Sequence, residues 1–222
     1  MSRGRALAAL MLVLLATVAA GAAAPRGRSQ ALTALDARDV ETRLLGAAEL
    51  AEHGTMQDVP RLAQALRDPD PFVRAIAERS LWDVWSRSGE TEIDALFANG
   101  VKEMSEGLGE TAVRTFTRII ERRPDFAEGW NKRATVLYLL GEYQKSLADC
   151  DEVMKRNPHH FGALSGYGMI YLKLGDPGRA LAYFERALAV NPNLTQVEES
   201  VQALRRLLIE RSRNTTRNGG RV

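Results

Sequence analysis

The chain has 222 residues, 45% of them hydrophobic and 26% charged, with three histidines and one cysteine. That is enough apolar sequence for a sizeable core or a short solenoid, and it excludes a disordered chain or a fold stapled by internal disulfides. The formal charge is +2, and without Arg3 and Arg5 there are 28 basic against 28 acidic residues. The basic surplus of a phosphate-binding surface is missing, so nucleic acid is not an expected partner.

Residues 1–24 read as a signal peptide. Arg3 and Arg5 form a positive head, Ala6 to Val18 an apolar middle, and Ala20-Gly21-Ala22 or Ala22-Ala23-Ala24 a small-residue exit. The expected location is therefore outside the cytoplasm, periplasmic or secreted. The competing reading is an uncleaved anchor in the inner membrane, because the apolar run approaches spanning length. No cysteine stands at the exit, so no lipid anchor is expected.

Residues 25–37 begin polar and flexible, then turn mildly helical, and are expected to act as a linker. From 38 to 90 a weak repeat follows, with Leu35, Asp39, Arg43 and Leu50 matching Leu66, Asp70, Arg74 and Leu81 at a constant offset of 31. Asp68-Pro69-Asp70-Pro71 signals a helix start, an acidic cap followed by proline in the first turn. Val73, Ala77, Leu81 and Val84 then fall on one helical face, and Val59, Leu62, Ala63 and Leu66 form a shorter helix before them. With Asp68, Asp70, Val73, Arg74, Ala77 and Leu81 in place, the segment resembles the HEAT-like repeats of phycobilisome-lyase-type proteins, although Ser80 replaces an alanine. The resemblance implies stacked helical hairpins that bind rather than catalyse.

Residues 91–192 carry a stronger period of 34. Its third copy has Leu164, Tyr167, Gly168, Tyr171, Ala180, Phe184, Ala187 and Pro192, with Gly175-Asp176-Pro177-Gly178 breaking the segment into two helices. The second has Trp130, Ala134, Leu137, Ser146, Cys150, Val153 and Pro158. The first has Leu96, Asn99, Gly100, Ala112, Phe116, Ile119 and Pro124. These residues resemble three tandem tetratricopeptide repeats, at 91–124, 125–158 and 159–192. Residues 193–213 supply a further amphipathic helix, through Val197, Val201, Leu204 and Leu208, to cover the last apolar face. The tail 214–222 is expected to be disordered. The fold class is all-α: a right-handed α-solenoid made of a HEAT-like unit, three tetratricopeptide repeats and a C-terminal capping helix.

No catalytic motif of the nucleophile-elbow, zinc-protease or phosphate-loop type occurs, so no enzymatic activity and no cofactor are expected. His159-His160, directly after Pro158, lack a second ligand pair at zinc spacing and read as solvated turn residues rather than a metal site. Cys150 takes the place of Phe116 and Phe184 in the sister copies and reads as core. Trp82 and Trp85 read as sealing the junction to the first repeat, or else as an exposed patch. Asn193-Leu194-Thr195 and Asn214-Thr215-Thr216 fit the glycosylation pattern, which matters only in a eukaryotic secretory pathway.

The resemblance implies a concave groove lined by the first helix of each repeat. Carried over, the groove residues are Phe97, Val101 and Met104, then Asn131, Thr135, Tyr138 and Leu139, then Ser165, Met169, Leu172 and Lys173. For the first three, packing on the preceding HEAT-like unit is the competing reading. The clamp by which chaperone-binding members hold a terminal carboxylate is not reproduced, since Phe97 and Val101 stand where Lys and Asn are required. The groove reads as apolar, suited to an amphipathic helix or extended apolar segment. The expected function is a non-catalytic scaffold or adaptor in the cell envelope that binds a protein or peptide. The alternative is a structural subunit whose groove is permanently filled by another chain or by a second copy in a homo-oligomer.

Overall fold

The computed structural model describes residues 25–219, and the readings of 1–24 as a signal peptide or anchor lie outside them. Among the described residues there are eleven α-helices and no strand. The chain divides into two compact units between Val84 and Trp85. No helix of the described residues is long and apolar enough to cross a membrane.

In the first unit α1 spans Arg28–Ala34, α2 Val40–His53, α3 Val59–Ala65 and α4 Pro71–Trp85, with a 3-10 turn at Met56–Asp58. The expected linker 25–37 is thus a packed helix. Ala31 is fully buried, and a Cβ on Gly46 of α2 would come within 2.8 Å of Ala31 O and Ala34 Cβ. The mildly helical character read from the sequence is borne out, but seven residues are too few to display the apolar period that would have marked a packed helix instead of a linker. Asp39 caps α2 by accepting from Thr42 N, and Asp70 caps α4 by accepting from Phe72 N and Val73 N. Leu50, Leu62, Leu66, Val73, Ala77 and Leu81 are fully buried and form the core.

The 31-residue offset has a structural cause. Arg43 Nη1 donates to Ala37 O and Arg38 O, and Arg74 Nη1 donates to Asp68 O and Pro69 O, the same positions one repeat on. Each arginine satisfies the carbonyls of the turn that precedes its own helix. Arg43 also forks onto both oxygens of Asp68 at 2.7 and 3.0 Å. Ser80, the departure from the HEAT-like pattern, is buried and donates to Ala47 O and Ile76 O, so the hydroxyl is satisfied in the core.

The second unit is an α-solenoid of helical hairpins: α5 Thr91–Ser105 with α6 Gly109–Arg122, α7 Ala127–Leu139 with α8 Tyr143–Arg156, and α9 Phe161–Lys173 with α10 Pro177–Val190. Each hairpin turns on a left-handed glycine, Gly107, Gly141 or Gly175, with φ of 76, 80 and 76°. The same two hydrogen bonds close each turn, as in Gly175 N to Leu172 O and Asp176 N to Tyr171 O. Inside the hairpins side-chain volumes compensate. Gly100 faces Phe116 and Gly168 faces Phe184, whereas the second repeat pairs Ala134 with the smaller Cys150. The free Cys150 is 2% exposed, and burial together with Asp149 and Asp151 pushes its thiol up to about 12.

Helix α11, Thr195–Gly219, covers the last hairpin by packing Val201 and Leu204 on Ala180 and Phe184. It continues past the end expected at 213, so residues 214–219 are helical where a disordered tail was expected. No proline or glycine interrupts this stretch before Gly219-Gly220.

Candidate functional site

Five of the eleven expected groove residues meet at one cavity. Asn131, Thr135, Tyr138 and Leu139 of α7 and Met169 of α9 line a space of about 250 Å³, whose other walls include Gly162, Gly166 and Cys150. Leu139 and Met169 are 67% and 44% exposed, so the rim is apolar and open to a partner. The Tyr138 ring leans against Tyr143 with centroids 5.8 Å apart. Thr135 Oγ1 donates to Asn131 O one turn back, leaving its methyl as the nonpolar part of the side chain. Ser165 donates to Phe161 O, while Leu172 and Lys173 are exposed at the end of α9; none of these three lines the cavity.

The first repeat departs from the expectation. Phe97 is only 7% exposed and packs edge-on against Phe116 and Phe126, with centroids 6.0 and 5.5 Å away. Val101 and Met104 are half-buried against that same cluster. These residues fill the core of the second unit instead of forming free groove surface. The family resemblance put them on the inner face, but the neighbouring Phe126 supplies a ring that packs against Phe97 there.

Asn131 is also nearly buried, at 7% exposed, because it belongs to a polar cluster. Its Nδ2 donates to both oxygens of Glu128 at 3.1 Å. Glu128 is fully buried and takes Lys132 Nζ at 3.1 Å and His160 Nε2 at 2.8 Å. His160 Nδ1 accepts from Ala163 N at 3.0 Å and so caps α9, which leaves the ring proton on Nε2 to be donated to Glu128. Burial alone would push the Glu128 carboxyl up, yet His160 and Lys132 outweigh it and hold the group below the usual carboxylate range.

His160 is therefore a fully buried structural residue, in contrast to the solvated turn residue expected, while His159 is half-buried. The expectation failed because a cap bonded to a carboxylate 32 residues earlier leaves no local signal. Trp85, the first residue of the second unit, is 3% exposed and stacks on His160 at 4.4 Å, so it forms no exposed patch. Among the described residues no group of three or more His, Cys, Asp or Glu is placed to hold a metal ion.

Two glycines that line the cavity, Gly162 and Gly166, were not expected as site residues, and Gly166 contrasts with Gly168 two residues on, which lies outside it. A Cβ on Gly168 would strike Phe184, so packing requires that glycine. A Cβ on Gly166 would meet only Cys150 Sγ at 3.8 Å, ordinary contact that leaves the position open. Glycine inside a helix costs about 1 kcal/mol relative to alanine. A second helical glycine without a packing reason was the available signal.

Comparison with known proteins agrees with this architecture. A family model described as tetratricopeptide repeat matches residues 125–193. A TPR repeat-containing protein of Rhizobium etli is 32% identical over 142 residues, which make up 64% of this chain and 70% of the relative. The chain belongs to the tetratricopeptide-repeat proteins. The outer membrane protein assembly factor BamD of Caulobacter vibrioides is 28% identical over 131 residues, 57% of this chain and 39% of that protein. The Sgt2 TPR domain from Aspergillus fumigatus matches in structure with a TM-score of 0.53 at 19% identity, covering 56% of this chain and 83% of that one. The first TPR of Spaghetti (RPAP3), bound to the HSP90 peptide SRMEEVD, matches with a TM-score of 0.51 at 20% identity, covering 53% and 93%. At these identities the likeness is one of fold.

Proposed function

We propose that this protein is a non-catalytic adaptor of the cell envelope that holds a protein or peptide segment in the groove of its second unit. The observation that carries the reading is the open apolar cavity between α7 and α9, rimmed by Tyr138, Leu139 and Met169. Of the groups that line it, burial pushes the Cys150 thiol up to about 12, and the Ser146 and Thr135 hydroxyls donate to Ala134 O and Asn131 O, so these side chains serve packing and orientation. Peptide binding by the solved relative that carries an HSP90 peptide, and the envelope role printed for BamD, are consistent with this assignment.

Export rests on the layout of residues 1–24, with Arg3 and Arg5 ahead of the apolar run and a small-residue exit. An alkaline phosphatase fusion to the full leader should be active, and mass spectrometry should find the mature chain starting near residue 25; an inactive fusion would rule out export. For the binding itself, a photoreactive residue in place of Tyr138 should crosslink one partner from envelope extract. Met169→Glu should abolish that crosslink without lowering Tm. Failure to capture any protein, or a stable homo-oligomer as the sole product, would overturn the adaptor reading.

A further inference from the structure

Charge is divided unevenly along the chain. Residues 25–204 carry 22 basic and 27 acidic side chains, whereas residues 205–222 carry six arginines and one glutamate. A segment of one sign on a body of the other points to a partner that is read by charge. The first part of this segment lies on α11, past the contact with the last hairpin. Val197, Val201 and Leu204 make that contact, and from Arg205 to Asn214 every residue except Leu208 is exposed. Arginines at a helix C-terminus complement the macrodipole, but the effect is confined to the last turn. Since α11 runs to Gly219, it does not account for Arg206 and Arg213.

These two arginines flank an apolar residue. Ile209 is 51% exposed, more than any other large apolar side chain of α11. Arg206 stands three residues before it and Arg213 four after, so the three share one face, turned away from Val201 and Leu204. Arg205 lies beside them, held by Glu185 at 2.6 Å. A nucleic-acid backbone would reward the cations alone. A bilayer carrying anionic headgroups rewards both kinds of side chain, because guanidinium forks pair with phosphate oxygens while isoleucine enters the acyl boundary.

We infer that this face of α11 docks on a bilayer surface rich in anionic lipid, with Arg206 and Arg213 on headgroup phosphates and Ile209 between them in the interface. One isoleucine gives a shallow, reversible attachment, so binding is governed by surface charge and weakens as salt rises. The face shares no residue with the cavity between α7 and α9, and it stands or falls independently of peptide binding.

The test is co-sedimentation of the mature chain, residues 25–222, with vesicles of phosphatidylglycerol and phosphatidylcholine in equal parts, and with vesicles of phosphatidylcholine alone. The chain should pellet with the anionic vesicles at low salt and remain in solution with the neutral ones. Arg206→Gln and Arg213→Gln should each weaken the anionic binding by about fivefold, and the pair by roughly 25-fold. Ile209→Ser should weaken it by about fivefold with the charge untouched, a loss that a purely electrostatic partner does not predict. All three positions are exposed, so the variants should keep the wild-type melt, and Tyr138→Ala should bind vesicles as wild type does. Equal binding to both vesicle types, binding to neither, or an Ile209→Ser chain that binds unchanged would overturn the inference. Tighter binding of a DNA duplex at equal phosphate concentration would reassign the face to nucleic acid and overturn it. So would a solution mass above the monomer that falls in both arginine variants, since the acidic body of a second copy would then be the occupant.

Discussion

Gly166 and Gly168 lie two residues apart on α9, and the same substitution should move stability in opposite directions. At Gly168 a Cβ would sit within 2.7 Å of three ring atoms of Phe184. That ring is 1% exposed and held by Ala180, Val201 and Leu204, so it has nowhere to go. Overpacking of this kind costs about 1–3 kcal/mol, enough to outweigh the helix-propensity gain from losing a glycine. At Gly166 the Cβ enters ordinary contact distance of Cys150 Sγ, and Gly166 has no positive φ. Gly166→Ala should therefore gain about 0.4–1 kcal/mol, mostly by restricting the unfolded chain. For a chain of this size those values correspond to a Tm lowered by roughly 2–10 °C for Gly168→Ala and raised by roughly 1–4 °C for Gly166→Ala. Urea unfolding followed by circular dichroism measures both. A stabilised Gly168→Ala would refute the close approach of α9 and α10, and a Gly166→Ala destabilised by more than about 1 kcal/mol would refute the open floor of the cavity.

Three further outcomes follow from buried polar groups. The folded Glu128 carboxyl lies below its ordinary 4.5, so its contribution to stability is present above that value and is lost as pH falls through the lower folded one. Glu128→Gln should accordingly flatten the fall of unfolding free energy between about pH 5 and 3, and an unchanged slope would contradict the ionised cluster. Arg43→Ala should cost about 2 kcal/mol by stripping the fork from Asp68 and two turn carbonyls, and Arg43→Lys should recover less than half of it in chemical denaturation. Cys150 should resist a thiol-specific disulfide reagent in the native protein and react at once in denaturant; rapid native labelling would contradict its burial.

The repeat array was legible because it rests on local signals. Left-handed glycines at 107, 141 and 175 and prolines at 124, 158 and 192 recur every 34 residues, and the apolar positions between them keep helical phase. The paired small and large residues, Gly100 with Phe116 and Gly168 with Phe184, are readable once the copies are aligned. The failures concern tertiary neighbours. The family resemblance placed Phe97 in the groove, but Phe126, at the N-cap of the next helix, packs on it and buries it. Pro158 suggested a solvated turn, yet His160 reaches back to Glu128. Helix α1 was legible only as a mildly helical linker because its seven residues show no period, and the burial of Ala31 that packs it was not. Within the groove, the α7 residues and Met169 could be carried over from the family pattern. The direction of the Asn131 amide could not, because Glu128 and His160 set it from outside the groove face.

The two junctions between successive repeats are built at equivalent positions from unlike materials. Between the first and second repeats the contact is apolar, Phe97 edge-on to Phe126. Between the second and third the same places hold Asn131 and His160, bridged by Glu128. The hairpin turns are interchangeable modules, but the seams between them are keyed. A rearranged chain in which the third repeat followed the first would press the His160 imidazole onto the Phe97 ring. Asp94, the counterpart of Glu128, would be no substitute bridge, since Oδ1 of its carboxylate is already engaged by Ser88. The order of these repeats is thus written in the pairing rules of their seams, so the array can be extended at its ends more readily than it can be shuffled within.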